Sequence, residues 1–332
     1  MKRRISNWHL VVLTAGALLA GAYEKPAAAQ QAGIRETPPL AAVPIAAGAA
    51  GQAAARQHTE RGDSLRNGPH GGDPVGAASE YRLAQRSDPS SAEAHYDLAN
   101  VLPGGGDKEA AILEYQQAIH LDMPDPNGLA RHPLQTAEAY RQLGIIRQAK
   151  NQLISATANF RASLRLEPNN SQTHLGLAFA LECRELYAAA IPEYQAALRL
   201  DPTGQRGVDT ALAHNNLGVC DTDLKDYAAA LPEYHAVLHL TPNAYHPHCN
   251  LGTALLGLKR YPEAIREFRE SLRLNPQYAF ARNSLGMALY NSGQEEAGRV
   301  EWRKVLRTGD ADAVDVAREL LADSTGEANV LP

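Results

Sequence analysis

Cysteine, aromatic residues and runs of one charge are all scarce in this 332-residue chain. Its three cysteines, Cys183, Cys220 and Cys249, are odd in number and widely spaced, which excludes a disulfide framework. A small buried thiol within a helix is the expected role of each. Aromatics make up 6% of the residues although 44% are hydrophobic, so Ala and Leu carry most of the apolar positions. With few β-branched residues, that mixture favours helices. The net charge is −5 with no long Lys/Arg run, which argues against nucleic-acid binding by phosphate neutralisation. Catalytic signatures are missing too. Gly104, Gly105 and Gly106 lack the G-K-[ST] ending of a phosphate loop, no Ser sits in a nucleophile elbow, and no cysteines pair as ligands. Neither a catalytic residue nor a cofactor is expected, and the chain reads as a non-enzyme.

The N-terminus is built differently from the rest. Lys2, Arg3 and Arg4 precede an apolar stretch from Trp8 to Ala22, followed by Ala27, Ala28 and Ala29. That is the three-part layout of a secretory signal peptide. The apolar stretch is shorter than the roughly 20 residues that span a bilayer. Residues 1–29 are therefore expected to be removed on export to the periplasm or beyond. The less favoured reading is an uncleaved anchor, which would be the protein's membrane contact. Residues 30–56, rich in Ala, Pro, Gly and Gln, show no 3.6-residue pattern of large apolar side chains and read as a disordered linker. The folded part is expected over 57–322, with a frayed tail at 323–332.

Self-similarity dominates the folded part. Leu217-Gly218, Leu251-Gly252 and Leu285-Gly286 recur at intervals of 34 residues, and Leu143-Gly144 is a fourth copy. Thirteen residues after each Leu comes a small residue (Ala156, Ala230, Ala264, Gly298), and four further on an aromatic (Phe160, Tyr234, Phe268, Trp302). Leu-x-Pro closes most units, at Pro168, Pro202, Pro242 and Pro276. A 34-residue period of this kind marks a stack of helical hairpins.

On these columns the chain resembles the tetratricopeptide-repeat (TPR) family, with units starting at 92, 137, 171, 211, 245 and 279 and a degenerate unit at 58–91 that lacks the Leu-Gly pair. The resemblance implies an all-α, right-handed α-solenoid of about seven two-helix repeats. A C-terminal helix from Ala313 to Ala322 would cap the end of the stack. Each unit holds an A and a B helix, with small residues allowing close approach and Pro ending helix B. Pro192 and Pro232 are placed near the start of helix B, where a missing N–H costs little. The family's usual Trp at the fourth position of helix A is replaced here by His95, Tyr140, His174, His214, His248 and Arg282.

The resemblance also implies that helix A lines a groove for an extended peptide or a partner protein. Carried over position by position, the candidates include Tyr96, Arg141, Phe179, Asn215, Asn216, Asn250, Asn283 and Tyr290. An amide can pair with both N–H and C=O of a peptide. Arg141 stands alone, with Ile145 where the family's carboxylate clamp has Asn, which disfavours that partner class. The expected function is a non-catalytic interaction scaffold or assembly factor in the cell envelope. The alternative from another class is metal binding at His235, His239, His246 and His248, although no Glu lies between the first two as in H-E-x-x-H. A self-associating structural array is a third reading.

Overall fold

The computed structural model describes residues 47–68, 72–102, 106–122, 133–205, 207 and 209–325. The expected signal peptide, linker residues 30–46 and tail residues 326–332 lie outside them. Among the described residues there are fifteen α-helices and no strand. They alternate as hairpins: α1 (Ala49–Arg66) with α2 (Pro74–Ser87), α3 (Ala92–Val101) with α4 (Lys108–Leu121), and α5 (Pro133–Ala149) with α6 (Leu153–Leu166). Then come α7 (Ser171–Glu182) and α8 (Tyr187–Leu200), α9 (Thr210–Asp223) with α10 (Tyr227–Leu240), α11 (Tyr245–Gly257) with α12 (Tyr261–Leu274), and α13 (Ala279–Asn291) with α14 (Glu295–Val305). Helix α15 (Ala311–Thr325) ends the order. The helices divide between two compact units, one ending at Ala180 and the other starting at Leu181.

The repeated columns are explained by one contact. A Cβ built on Gly144, Gly218, Gly252 or Gly286 would lie 2.4–2.8 Å from the ring of Phe160, Tyr234, Phe268 or Trp302 of the same hairpin. Helix A thus presents bare backbone to the aromatic of helix B, and all four rings are at most 1% exposed. The degenerate first hairpin lacks the Leu-Gly pair, as expected, but obeys the same rule through a glycine that follows Arg61. Gly62 faces the Tyr81 ring at 2.5 Å, with three more residues between glycine and aromatic than in the other hairpins.

Two boundaries and the placement of two prolines differ from the sequence reading. Helix α1 begins at Ala49, inside the stretch read as linker. Its contact face uses small residues in place of large ones: Ala55, Thr59 and Gly62 are buried. A Cβ on Gly51 would meet the Ser87 carbonyl oxygen at 2.7 Å, so close approach does the work that large side chains do elsewhere. At the other end α15 continues to Thr325 and packs on α13 and α14 through Ala313, Val314, Val316, Ala317 and Leu320. Pro192 and Pro232 are the sixth residues of their helices. They lie past the first four positions whose N–H groups lack an intrahelical partner, so each removes one ladder hydrogen bond on an exposed face. Helix α3 stops after ten residues, before the Pro103 to Gly106 run, as that run leads one to expect.

The A-to-B turns place one residue in the left-handed region two positions before helix B. Gly72, Gly106 and Gly293 do so without strain, whereas Asn151, Glu185, Lys225 and Lys259 adopt φ of 58–64°. After Asn151, Glu185, Lys225, Lys259 and Gly293 the following N–H closes the turn on a carbonyl five residues back, as Asp226 does on Asp221 at 2.8 Å.

Gly218→Val is expected to destabilise the fold by about 1–3 kcal/mol, read as a lower urea midpoint. Superimposable curves for parent and variant would mean that Tyr234 moves aside freely.

Candidate functional site

The helix-A positions expected to face a partner fall into three environments. In the first unit, Tyr96 is half-buried, its ring edge-on to Tyr115 with centroids 6.0 Å apart, and burial pushes its hydroxyl up. Tyr115 donates to the Asn100 side-chain oxygen at 2.7 Å. Arg141 is engaged by its own helix: its Nε donates to Glu138 at 2.7 Å, and Gln142 donates to the same carboxylate at 2.8 Å. Two of its guanidinium nitrogens, Nε and Nη2, thus bond to Glu138. Phe179 is half-buried.

Beside Tyr96, Asp97 is buried, with Arg66 nitrogens 3.4 Å from it and 3.1 Å from Asp63. Burial, reinforced by the Asp63 charge and opposed by Arg66, pushes the Asp97 carboxyl up to about 7 from an ordinary 3.8. This group is a buried carboxyl of the helix-A row that charges near neutrality.

In the second unit the asparagines bond to one another. Asn250 Nδ2 donates to Asn215 Oδ1 at 3.1 Å, Asn215 Nδ2 to Asn216 Oδ1 at 3.1 Å, and Asn216 Nδ2 to the Tyr194 hydroxyl at 3.2 Å. Tyr194 in turn donates to Glu182 Oε2 at 2.5 Å. The result is a one-directional donor chain from α11 through α9 and α8 to the end of α7. The three amides are only 4–6% exposed, and burial with the Glu182 charge pushes the Tyr194 hydroxyl well up. Asn283 belongs to none of this. Its Nδ2 donates to the Ala313 carbonyl of α15 at 2.8 Å, and its Oδ1 is a buried acceptor without a partner among the described residues. Tyr290 remains half-buried, with the Trp302 ring 5.5 Å away and the Arg299 guanidinium 5.5 Å over its own ring.

Tyr194 and Glu182 complete the amide chain, and Tyr194 stands in the same helix-B aromatic position as Tyr234. The signal was present: a buried Tyr hydroxyl needs a polar partner, and Glu182 and Thr222 stand twelve residues before Tyr194 and Tyr234. Thr222 Oγ1 indeed lies 3.0 Å from the Tyr234 hydroxyl.

The four candidate metal histidines are not brought together. His235 and His239 are exposed on α10, and His246 packs against the rings of Tyr245 (3.9 Å) and Tyr278 (5.2 Å). His248 Nδ1 lies 2.8 Å from Glu267. Among the described residues no group of three or more His, Cys, Asp or Glu side chains could hold a metal ion. Cys183, Cys220 and Cys249 form no disulfide, and burial pushes the thiols of Cys220 and Cys249 up, away from reactivity.

Asn215→Ala removes the central link of the chain and leaves its neighbours' buried polar atoms unmatched. It is expected to cost about 1–3 kcal/mol in urea unfolding; an unchanged midpoint would mean that water satisfies the amides equally well. Asp97→Asn should act with the opposite sign. A carboxyl whose pKa is raised on folding penalises the native state as it charges. The variant should therefore gain on the order of 1–3 kcal/mol at and above pH 7, and the gain should vanish toward pH 4. A constant difference across that range would refute the assignment.

A family model described as tetratricopeptide repeat matches residues 71–126, 134–205 and 187–245, and a second of the same description matches 246–278. No curated protein matches the chain. Among solved structures, MamA (residues 41 to the end) from Desulfovibrio magneticus RS-1 is 20% identical, with 55% of this chain and 96% of that chain covered at a TM-score of 0.48. YrrB, described as a TPR protein with an unusual peptide-binding site, is 19% identical, with 58% and 92% covered at 0.47. The family-model matches take in more than half of the sequence and coincide with the helical hairpins: the chain belongs to the tetratricopeptide-repeat family.

Proposed function

We propose that this protein is a non-catalytic interaction scaffold that holds an extended segment of a partner protein along its helix-A rows, and that it works outside the cytoplasm. The observation that carries the reading is that helix A in two of the hairpins pairs an aromatic face with polar atoms. Tyr96 beside Asn100 does so in one unit, and Tyr290 beside Asn291 in the other. An extended peptide repeats its own N–H and C=O groups, so a surface of repeating donors and acceptors backed by rings suits it.

The buried amides take a supporting part here. Asn215, Asn216 and Asn250 spend their donors on one another, and Asn283 spends its own on α15. We assign the direct contacts to Tyr96, Phe179 and Tyr290, whose rings are half-buried. Export rests on the N-terminal pattern of Lys2 to Arg4, Trp8 to Ala22 and Ala27 to Ala29. No helix among the described residues is long and apolar enough to cross a membrane.

The test is affinity capture from cell-envelope extract with the full chain, set beside Tyr96→Ala/Phe179→Ala/Tyr290→Ala and beside Leu113→Ala/Ile154→Ala on helices α4 and α6. A protein held by the parent and by the second variant, but released by the first, would identify the partner and its surface. Equal retention by all three would remove the helix-A rows from the interface. N-terminal sequencing of the mature protein tests export, with a start near residue 30 expected.

A further inference from the structure

Where the family carries Trp, the fourth position of helix A here makes a recurring polar contact. His248 Nδ1 lies 2.8 Å from Glu267 Oε2, and its Nε2 lies 3.3 Å from the Pro242 carbonyl oxygen. Thirty-four residues on, Arg282 does the same with two nitrogens: one donates to Glu301 Oε2 at 3.2 Å, the other to the Pro276 carbonyl at 2.6 Å. The register is identical in both, nineteen residues forward to the carboxylate and six back to the proline. Parts of the pattern recur elsewhere. His95 with Glu114 and His214 with Glu233 repeat the carboxylate contact at 2.6 Å, and His174 repeats the proline contact at 2.9 Å.

Both partners of His248 are acceptors, because a carboxylate and a proline carbonyl carry no proton to give. A neutral imidazole has one N–H and satisfies one of them; only the doubly protonated ring donates to both. Arg282 meets the same two demands with a cation that never loses its charge. The carboxylate belongs to helix B of the residue's own hairpin, and the proline ends helix B of the hairpin before, so the side chain ties consecutive hairpins together. The pair is mostly shielded, with side-chain exposures of 15% for His248 and 25% for Glu267.

We propose that the fourth helix-A position is a two-acceptor socket for a cation, and that protonation of His248 locks the α11–α12 hairpin to the turn after α10. The charged groups facing His248 are Glu267 and Glu270 of α12. The Glu270 carboxyl is held below its usual range by hydrogen bonding from Arg273, with the His248 charge a smaller contribution. The turn after α10 offers the uncharged Pro242 carbonyl, and on α11 itself His246 packs against the Tyr245 and Tyr278 rings, burial pulling its pKa down. A lock that needs both ring protons is complete on the acid side and opens as pH rises through the range in which imidazole discharges, about pH 5 to 8.

The experiment compares thermal midpoints of the full-length parent, His248→Arg and His248→Gln across that range. The three proteins share everything but residue 248, so differences between them isolate this site. On raising the pH, the parent is expected to lose about 2–4 °C relative to His248→Arg, while His248→Gln stays low throughout. Parallel curves for parent and His248→Arg would overturn the proposal. Should the arginine variant fail to fold, nitrogen NMR of the parent decides. Two protonated ring nitrogens on His248 at pH 6 support the lock, and a neutral ring there sinks it.

Discussion

A ring from helix B resting on the bare backbone of helix A is the contact on which the rest of the structure depends. With Phe160 over Gly144 and Phe268 over Gly252, the two helices of a hairpin come closer than any side chain on the A face would permit. That approach fixes which face of each helix is inward, and with it which residues can meet the next hairpin. A hairpin cannot bury its apolar face by itself, so stacking is obligatory and the helical period becomes a sequence period of 34 residues. Trp302 shows that the constraint is geometric more than chemical. It takes the same place over Gly286, but its indole N–H also donates to the Asn283 carbonyl at 3.0 Å.

The same contact explains what could be read without a structure. Columns generated by ring-on-glycine packing are conspicuous, and the hairpins and their order followed from them; the terminal helix α15 followed from its own amphipathic pattern over Ala313 to Ala322. The start of helix α1 escaped because Gly51, Ala55 and Gly62 leave no large apolar stripe to count there, and the three extra residues before Tyr81 displace Gly62 from its column. The turns escaped for another reason. Asn151, Glu185, Lys225 and Lys259 occupy the left-handed region without the glycine that announces it, because the closing backbone hydrogen bonds hold them there.

The candidate site was legible as a set of positions but not as a set of roles. Spacing places Asn215, Asn216 and Asn250 on the inner helices; it cannot say in which direction an amide points. Once buried, an amide must satisfy its donors and acceptor locally or lose hydrogen-bond free energy, and neighbouring asparagines are the nearest partners. The internal amide chain is therefore a consequence of burial. The rings are under no such demand. Tyr96, Phe179 and Tyr290 keep part of their surface open, and a flat apolar face can meet a partner without leaving an unmatched polar atom behind.

Polar links of this sort act at junctions between hairpins, and in a stack that is where cooperativity is decided. The free energy of such an array is close to a sum of hairpin terms and junction terms, so a link across a junction changes how readily one end opens while the rest stays folded. The donor chain from Asn250 to Glu182 and the fourth-position contacts of His248 and Arg282 both tie neighbouring hairpins, but they differ in kind. Amide links are indifferent to pH in the physiological range, whereas an imidazole link is conditional on its proton. The permanent cation stands at Arg282, on the last hairpin before α15, where a stack frays first. The conditional one stands a hairpin further in, where neighbours on both sides already hold the helices in place.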